Sequence, residues 1–263
     1  MKKLVMEYDH HQIAHDVVTF LRARHGWRNQ PEGDPLMNFT GAIATLAFAI
    51  FAVNPAAAGS ALDEKELVAK AHFTVERVSQ DKDVGPNVRY LIKKAKAVMV
   101  FPDVLKGAFF FGAEGGNGVL VAKNANGDWG YPAFYTMGSA SFGLQIGGQS
   151  QEIILLIMSE RGLSSVLKNE VKLGADISAA AGPKGVGAEA STTTNLRADI
   201  YSFSLNQGAF LGASVEGAVI HPRQAKNNAY YGSTKASAED IVLRGQYQNV
   251  HADKLRSSLR KLQ

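Results

Sequence analysis

An α+β fold is predicted, with a curved or barrel-like antiparallel sheet between N-terminal and C-terminal helices. Three observations predict it. Apolar residues recur at helical spacing over 62–95, and short apolar or alternating runs divided by turn residues fill 98–220. Helical, polar sequence returns after Pro222. The chain has 26 glycines, most of them between Gly107 and Gly217 with no collagen period, as in strands that bulge, pack closely or bend.

The elements follow in order. Val68, Ala71, Val75 and Val78 form a stripe predicting a helix over 62–80. Gly85-Pro86 breaks it, and Pro86 opens a second helix running to about Ala95. Val98 to Phe101 reads as a buried strand ending at Pro102. Strands continue to Ser159, with a turn at Asn124–Asp128 and a return strand from Trp129 to Met137. Ile153 to Met158 suits a strand buried on both faces. Ser159 caps a short helix, and Leu173, Ala175, Ile177 and Ala179 alternate as a half-buried strand. Ala188–Thr194, Arg197–Ser204 and Ala209–Ile220 are further strands, with Tyr201, Phe203 and Leu205 on one face.

Residues 39–53, FTGAIATLAFAIFAV, carry no charge. The run has the length of a signal-peptide core and falls short of the roughly 20 apolar residues that span a bilayer. Asn54-Pro55 ends it, and Ala56-Ala57-Ala58 offers small residues for cleavage. The expected organisation is an upstream extension at 1–36 ahead of a start at Met37, a signal peptide at 37–58, and one domain at 59–263. The expected location is exported, periplasmic or peripheral to a membrane, with the mature chain beginning at Gly59 or Leu62.

Few function classes survive inspection for chemistry. Without cysteine there is no disulfide, thiol nucleophile or thiolate metal site. His11 and His15 have metal-ligand spacing but precede the signal, leaving His72, His221 and His251 far apart in the remainder. No Gly-x-Ser-x-Gly elbow occurs. Gly112–Gly118 lacks the ending of a phosphate-binding P-loop and reads as a tight hairpin, while Lys184, in a glycine turn, can meet a phosphate. Phe109-Phe110-Phe111 places successive rings on opposite strand faces, so core packing is favoured over base stacking. The net charge of +4 fits attraction to anionic surfaces without requiring nucleic acid. No cofactor is expected.

From Lys96 to Ile241 the chain resembles the SYLF domain family, a lipid-binding module. The residues that carry the resemblance are Lys106–Gly112, Gly115–Val121, Gly127-Asp128-Trp129, Ser141–Gly147, Ala179–Pro183, Ile200–Ser204, Gly208–Gly212 and Asn228–Gly232. The resemblance implies non-enzymatic binding of anionic phospholipid or phosphoinositide-like headgroups at a membrane surface. Some eukaryotic relatives also bind actin, a property not carried over because an exported protein would not meet it. The family maps no lipid site onto particular residues. Physical reading assigns it to Arg89, Lys93, Lys94 and Lys96, at helical spacing on the second helix, with Lys184. Lys254, Arg256, Arg260 and Lys261 are the fallback. Two alternatives stand beside this reading: an acyl-chain carrier with a cavity near Gly143, Gly147, Ala175 and Ala179, and an uncharacterised hydrolase.

Overall fold

The computed structural model describes residues 61–108, 112–141, 147–168, 170–183, 198–206, 209–212 and 215–263. The expected signal peptide, the strand at Ala188–Thr194, Phe109–Phe111 and Lys184 lie outside these residues. The described residues belong to one compact unit.

Both leading helices form where the spacing places them, as α1 (Ala61–Gln80) and α2 (Gly85–Lys94), with Pro86 in the first turn of α2. β1 (Ala97–Ala108), β2 (Gly112–Ala122), β3 (Ala133–Ser141) and β4 (Gly147–Ile157) make the central sheet. α3 (Glu160–Lys168) follows, and the Ser159 hydroxyl accepts from the Gly162 N–H at 2.9 Å, the expected cap. Short strands β5 (Val171–Lys172), β6 (Ala179–Ala181), β7 (Ile200–Asn206), β8 (Ala209–Gly212) and β9 (Val219–Pro222) complete the sheet. α4 (Gln224–Tyr231), α5 (Ala238–Val242) and α6 (Asp253–Lys261) close the chain.

The fold is α+β with a curved antiparallel sheet. Its nine described strands run β5-β9-β3-β2-β1-β4-β7-β6, with β8 beside β7 and only β6–β7 parallel. Each face of the sheet has its own core. On one, Val98, Val100, Val119, Val121, Ile154, Leu156, Tyr201 and Phe203 pack under α1, α2 and α6. On the other, Met99, Phe101, Leu120, Tyr135, Ile153 and Leu155 pack under α3 and α5. Residues 97–101 of β1 and 153–157 of β4 are therefore buried on both sides, as the apolar run at 153–158 predicts.

Three local expectations are corrected. β1 does not stop at Pro102. Its register with β2 shifts between Val100 and Asp103, and a bulge there accommodates the residue that cannot donate to the ladder. Gly112–Gly118 is not a hairpin loop but part of β2. A Cβ at Gly116 would lie 2.4 Å from the Asp103 carbonyl oxygen, and one at Gly118 would lie 2.4 Å from the Phe101 ring, so glycine lets β2 close on the bulged strand. The alternation at Leu173–Ala179 is not one strand. Gly174 has φ +84°, and the Asp176 carboxylate accepts from the Lys172 N–H at 2.7 Å, turning the chain between β5 and β6. Ala175 lies exposed in that turn, so it lines no acyl cavity.

Polar links hold α1 down. Glu64, fully buried, meets the Lys226 ammonium of α4 at 3.0 and 3.1 Å. Lys70 pairs with Asp103 of β1, and Arg77 with Glu152 of β4. His72 Nδ1 meets the Ser258 hydroxyl of α6 at 2.8 Å.

Candidate functional site

The lysines named from the sequence gather where α2 ends. Ala95 leaves the helix with ψ 141°, after its N–H has bonded to the Leu91 carbonyl. Lys93 and Lys94 are thus the last helical residues, and Lys96 leads into β1 rather than continuing the helix face. The i, i+4, i+7 argument for Arg89, Lys93 and Lys96 fails at this turn, yet Lys96 stays at the corner for another reason. Its carbonyl accepts from the Lys123 N–H at 2.9 Å.

Lys123, which the sequence reading missed, completes the corner. Its ammonium donates to the carbonyls of Ile92 and Lys93 at 2.8 and 3.0 Å, satisfying the C-terminal end of α2. It also lies 5.0 Å from the centre of the Trp129 ring. Burial pushes its pKa down, and the charge of Lys96 adds to that. Lys96 pairs with Glu160 at 2.9 Å across an exposed surface. Lys94 donates to the Tyr90 hydroxyl at 2.7 Å and sits over that ring at 4.2 Å. Neither Lys93 nor Lys94 has a carboxylate partner among the described residues. Formal charge at the corner is four cations against one anion, with about half a negative charge from the α2 terminus.

Arg89 faces another way. It donates to the Ser79 carbonyl at 2.6 Å, at the end of α1, and lines a cleft of about 320 Å³ between α1, α2 and α6. Lys261, a fallback residue, shares that cleft. Arg256 is structural: it donates to the Trp129 carbonyl at 2.9 Å, pairs with Asp253 and stacks 4.1 Å over Tyr131. Lys254, Arg260 and Lys261 are exposed.

The fold gives one serine the base that the sequence did not show. Ser258 meets His72, whose Nε2 lies 3.7 Å from Glu76. Ser258 sits inside α6, where the neighbouring N–H groups are spent on the helix, so the backbone offers no donors to a developing oxyanion. The contact joins α1 to α6. Among the described residues, no three His, Asp or Glu side chains converge as metal ligands.

Comparison with known proteins finds a family match over the C-terminal part of the chain. Residues 138–262 match the Ysc84 family, described as "Las17-binding protein actin regulator". This part of the chain is similar to the SYLF-type, or Ysc84, domain. Protein YSC84 of Saccharomyces cerevisiae is 33% identical over 151 residues, 56% of this chain and 32% of that protein. LAS seventeen-binding protein 3 of the same yeast is 30% identical over 155 residues, covering 58% and 33%. The SH3 domain-containing YSC84-like protein 1 of Xenopus laevis is 28% identical over 167 residues, covering 63% and 49%. The matches thus span about a third to a half of the relatives' length. One of these printed names is that of a binding protein, and none of the three names an enzyme.

These findings overturn the expectation of an exported, periplasmic protein. The relatives are eukaryotic and the family is described by actin regulation, which belongs to the cytoplasm. The expectation rested on an uncharged run followed by the small residues Ala56-Ala57-Ala58, and local pattern of that kind also suits a buried helix. Its fall also removes the ground on which actin was set aside. No helix of the described residues is long and apolar enough to cross a membrane.

Proposed function

We propose that the chain binds anionic lipid at a membrane surface, without catalysis, through the corner formed by Lys93, Lys94, Lys96 and Lys123, which precedes the residues matched to the Ysc84 family. The observation that carries this reading is the excess of cations there, with Lys93 and Lys94 exposed and only Lys96 paired to a carboxylate. Each basic residue near an anionic surface contributes about 1 kcal/mol. Lys123 serves the helix terminus and Lys96 is shared with Glu160, so two or three effective charges remain. A headgroup bearing several phosphates, phosphoinositide-like, suits such clustering better than a single phosphate. Lys184 joins the proposal as a phosphate contact from the sequence alone.

Vesicle flotation of the Lys93→Gln/Lys94→Gln variant tests the reading. Binding to anionic vesicles is expected to fall by roughly 30-fold, about 2 kcal/mol, with the melting temperature unchanged. Wild-type binding is expected to weaken steeply with salt and the variant's less so. Equal binding by a variant that melts like wild type would remove the corner from the site.

A second reading rests on the family description. The domain engages actin or an actin-regulating protein, and the same cationic corner would face an acidic protein surface. Co-sedimentation with filamentous actin, without vesicles, separates the two readings.

A further inference from the structure

We propose that the cleft between α1, α2 and α6 is a second ligand site, and that it takes a small zwitterion: an ammonium joined by a short linker to a phosphate or carboxylate. The proposal does not rest on the lysine corner. It rests on the volume of the cleft, about 320 Å³, at the low end of small-molecule sites, and on the charges lining it.

Arg89 and Lys261 supply two positive charges and Glu76 one negative. The C-terminal ends of α1 and α6 also reach the cleft, through Gln80 and Leu262, and each adds about half a negative charge. The sum is close to zero. A polyanion is therefore not favoured, in contrast to the lysine corner, but the charges are separated and unspent. Arg89 uses one N–H on the Ser79 carbonyl and keeps other donors of its fork. Lys261 has no partner among the described residues. Glu76 lies 3.7 Å from the His72 ring, too far for a hydrogen bond. A ligand with both charges meets both ends of this arrangement, with its phosphate or carboxylate on Arg89 and Lys261 and its ammonium on Glu76. Buried Leu262 and Val75 supply an apolar wall for the linker.

O-phosphoethanolamine is the probe, with inorganic phosphate and ethanolamine as its two halves, titrated by calorimetry or NMR. The zwitterion is expected to bind at least ten times more tightly than either half. Glu76→Gln and Lys261→Met should each weaken it about tenfold, and Lys93→Gln/Lys94→Gln should leave it unchanged. The two single variants change exposed or half-exposed residues, and their melting curves report whether the fold is intact. Vesicles identify the source of the ligand. Recruitment to phosphatidylethanolamine over phosphatidylcholine, whose quaternary nitrogen has no N–H for Glu76, indicates a lipid headgroup. Binding of the soluble zwitterion without such recruitment indicates a free metabolite. Either result supports the site. Phosphate binding as tightly as O-phosphoethanolamine, or O-phosphoethanolamine binding unaffected by both cleft variants, overturns it.

Discussion

Replacing Lys226 with methionine is expected to cost about 3–5 kcal/mol in urea unfolding, the largest loss from any single substitution considered. Lys226 is the partner of Glu64, which lies fully buried in the first turn of α1. Burial raises the Glu64 pKa, and the hydrogen bond and charge of Lys226 only partly offset it. Without Lys226 the carboxylate is left alone in the core and must take up a proton. The sign follows from linkage. A folded pKa raised above the unfolded one gives a contribution that is present at low pH and lost as pH rises through the folded value. The variant should therefore be least destabilised in acid and most at neutral pH. Glu64→Gln/Lys226→Met should recover much of the loss, because no uncompensated charge remains. Hydrogen exchange should show α1 opening before the sheet in the single variant.

Asp199→Ala is expected to cost about 2–4 kcal/mol. Asp199 is buried where β7 begins. It accepts from the hydroxyls of Ser159 and Ser178 at 2.5 Å and pairs with Arg161. Burial pushes its carboxyl pKa up, but the hydrogen bonds from Arg161, Ser159 and Ser178, with the Arg161 charge, outweigh it and hold the group at about 2. A depressed pKa contributes stability above the unfolded value of 3.8 that is lost as pH falls towards 2, and the shift corresponds to about 2 kcal/mol. The difference between wild-type and Asp199→Asn stability should shrink across that window. A difference independent of pH between 5 and 2 would mean that the carboxylate charge does not matter there.

The helices were legible because their signals are local. The Val68, Ala71, Val75 and Val78 stripe faces the sheet, and Pro86 opens α2 where it should. Tyr201, Phe203 and Leu205 share a face because β7 keeps a period of two. The misreadings arose where pairing between distant segments overrides local pattern. Pro102 looks like a strand end until β2 supplies glycines that let a bulge pass. Gly174 and Asp176 convert an alternating run into a turn.

The candidate site was half legible for the same reason. Lys93 and Lys94 stand on one helix, but Lys123 belongs with them only through carbonyls some 30 residues away. His72 and Ser258 are 186 residues apart, and no spacing rule reaches that far. Export was misjudged because an uncharged run near the start of a chain carries little information on its own.

Amine labelling of the lysines with and without anionic vesicles, read by mass spectrometry, tests the membrane-binding claim most directly, because it needs no substitution. Lys93, Lys94 and Lys96 are predicted to lose reactivity on vesicles. Exposed Lys172 of β5 and Lys235, ahead of α5 on the other face of the sheet, are predicted to keep theirs. Protection of Lys172 and Lys235 with Lys93 and Lys94 still fully reactive would contradict the account.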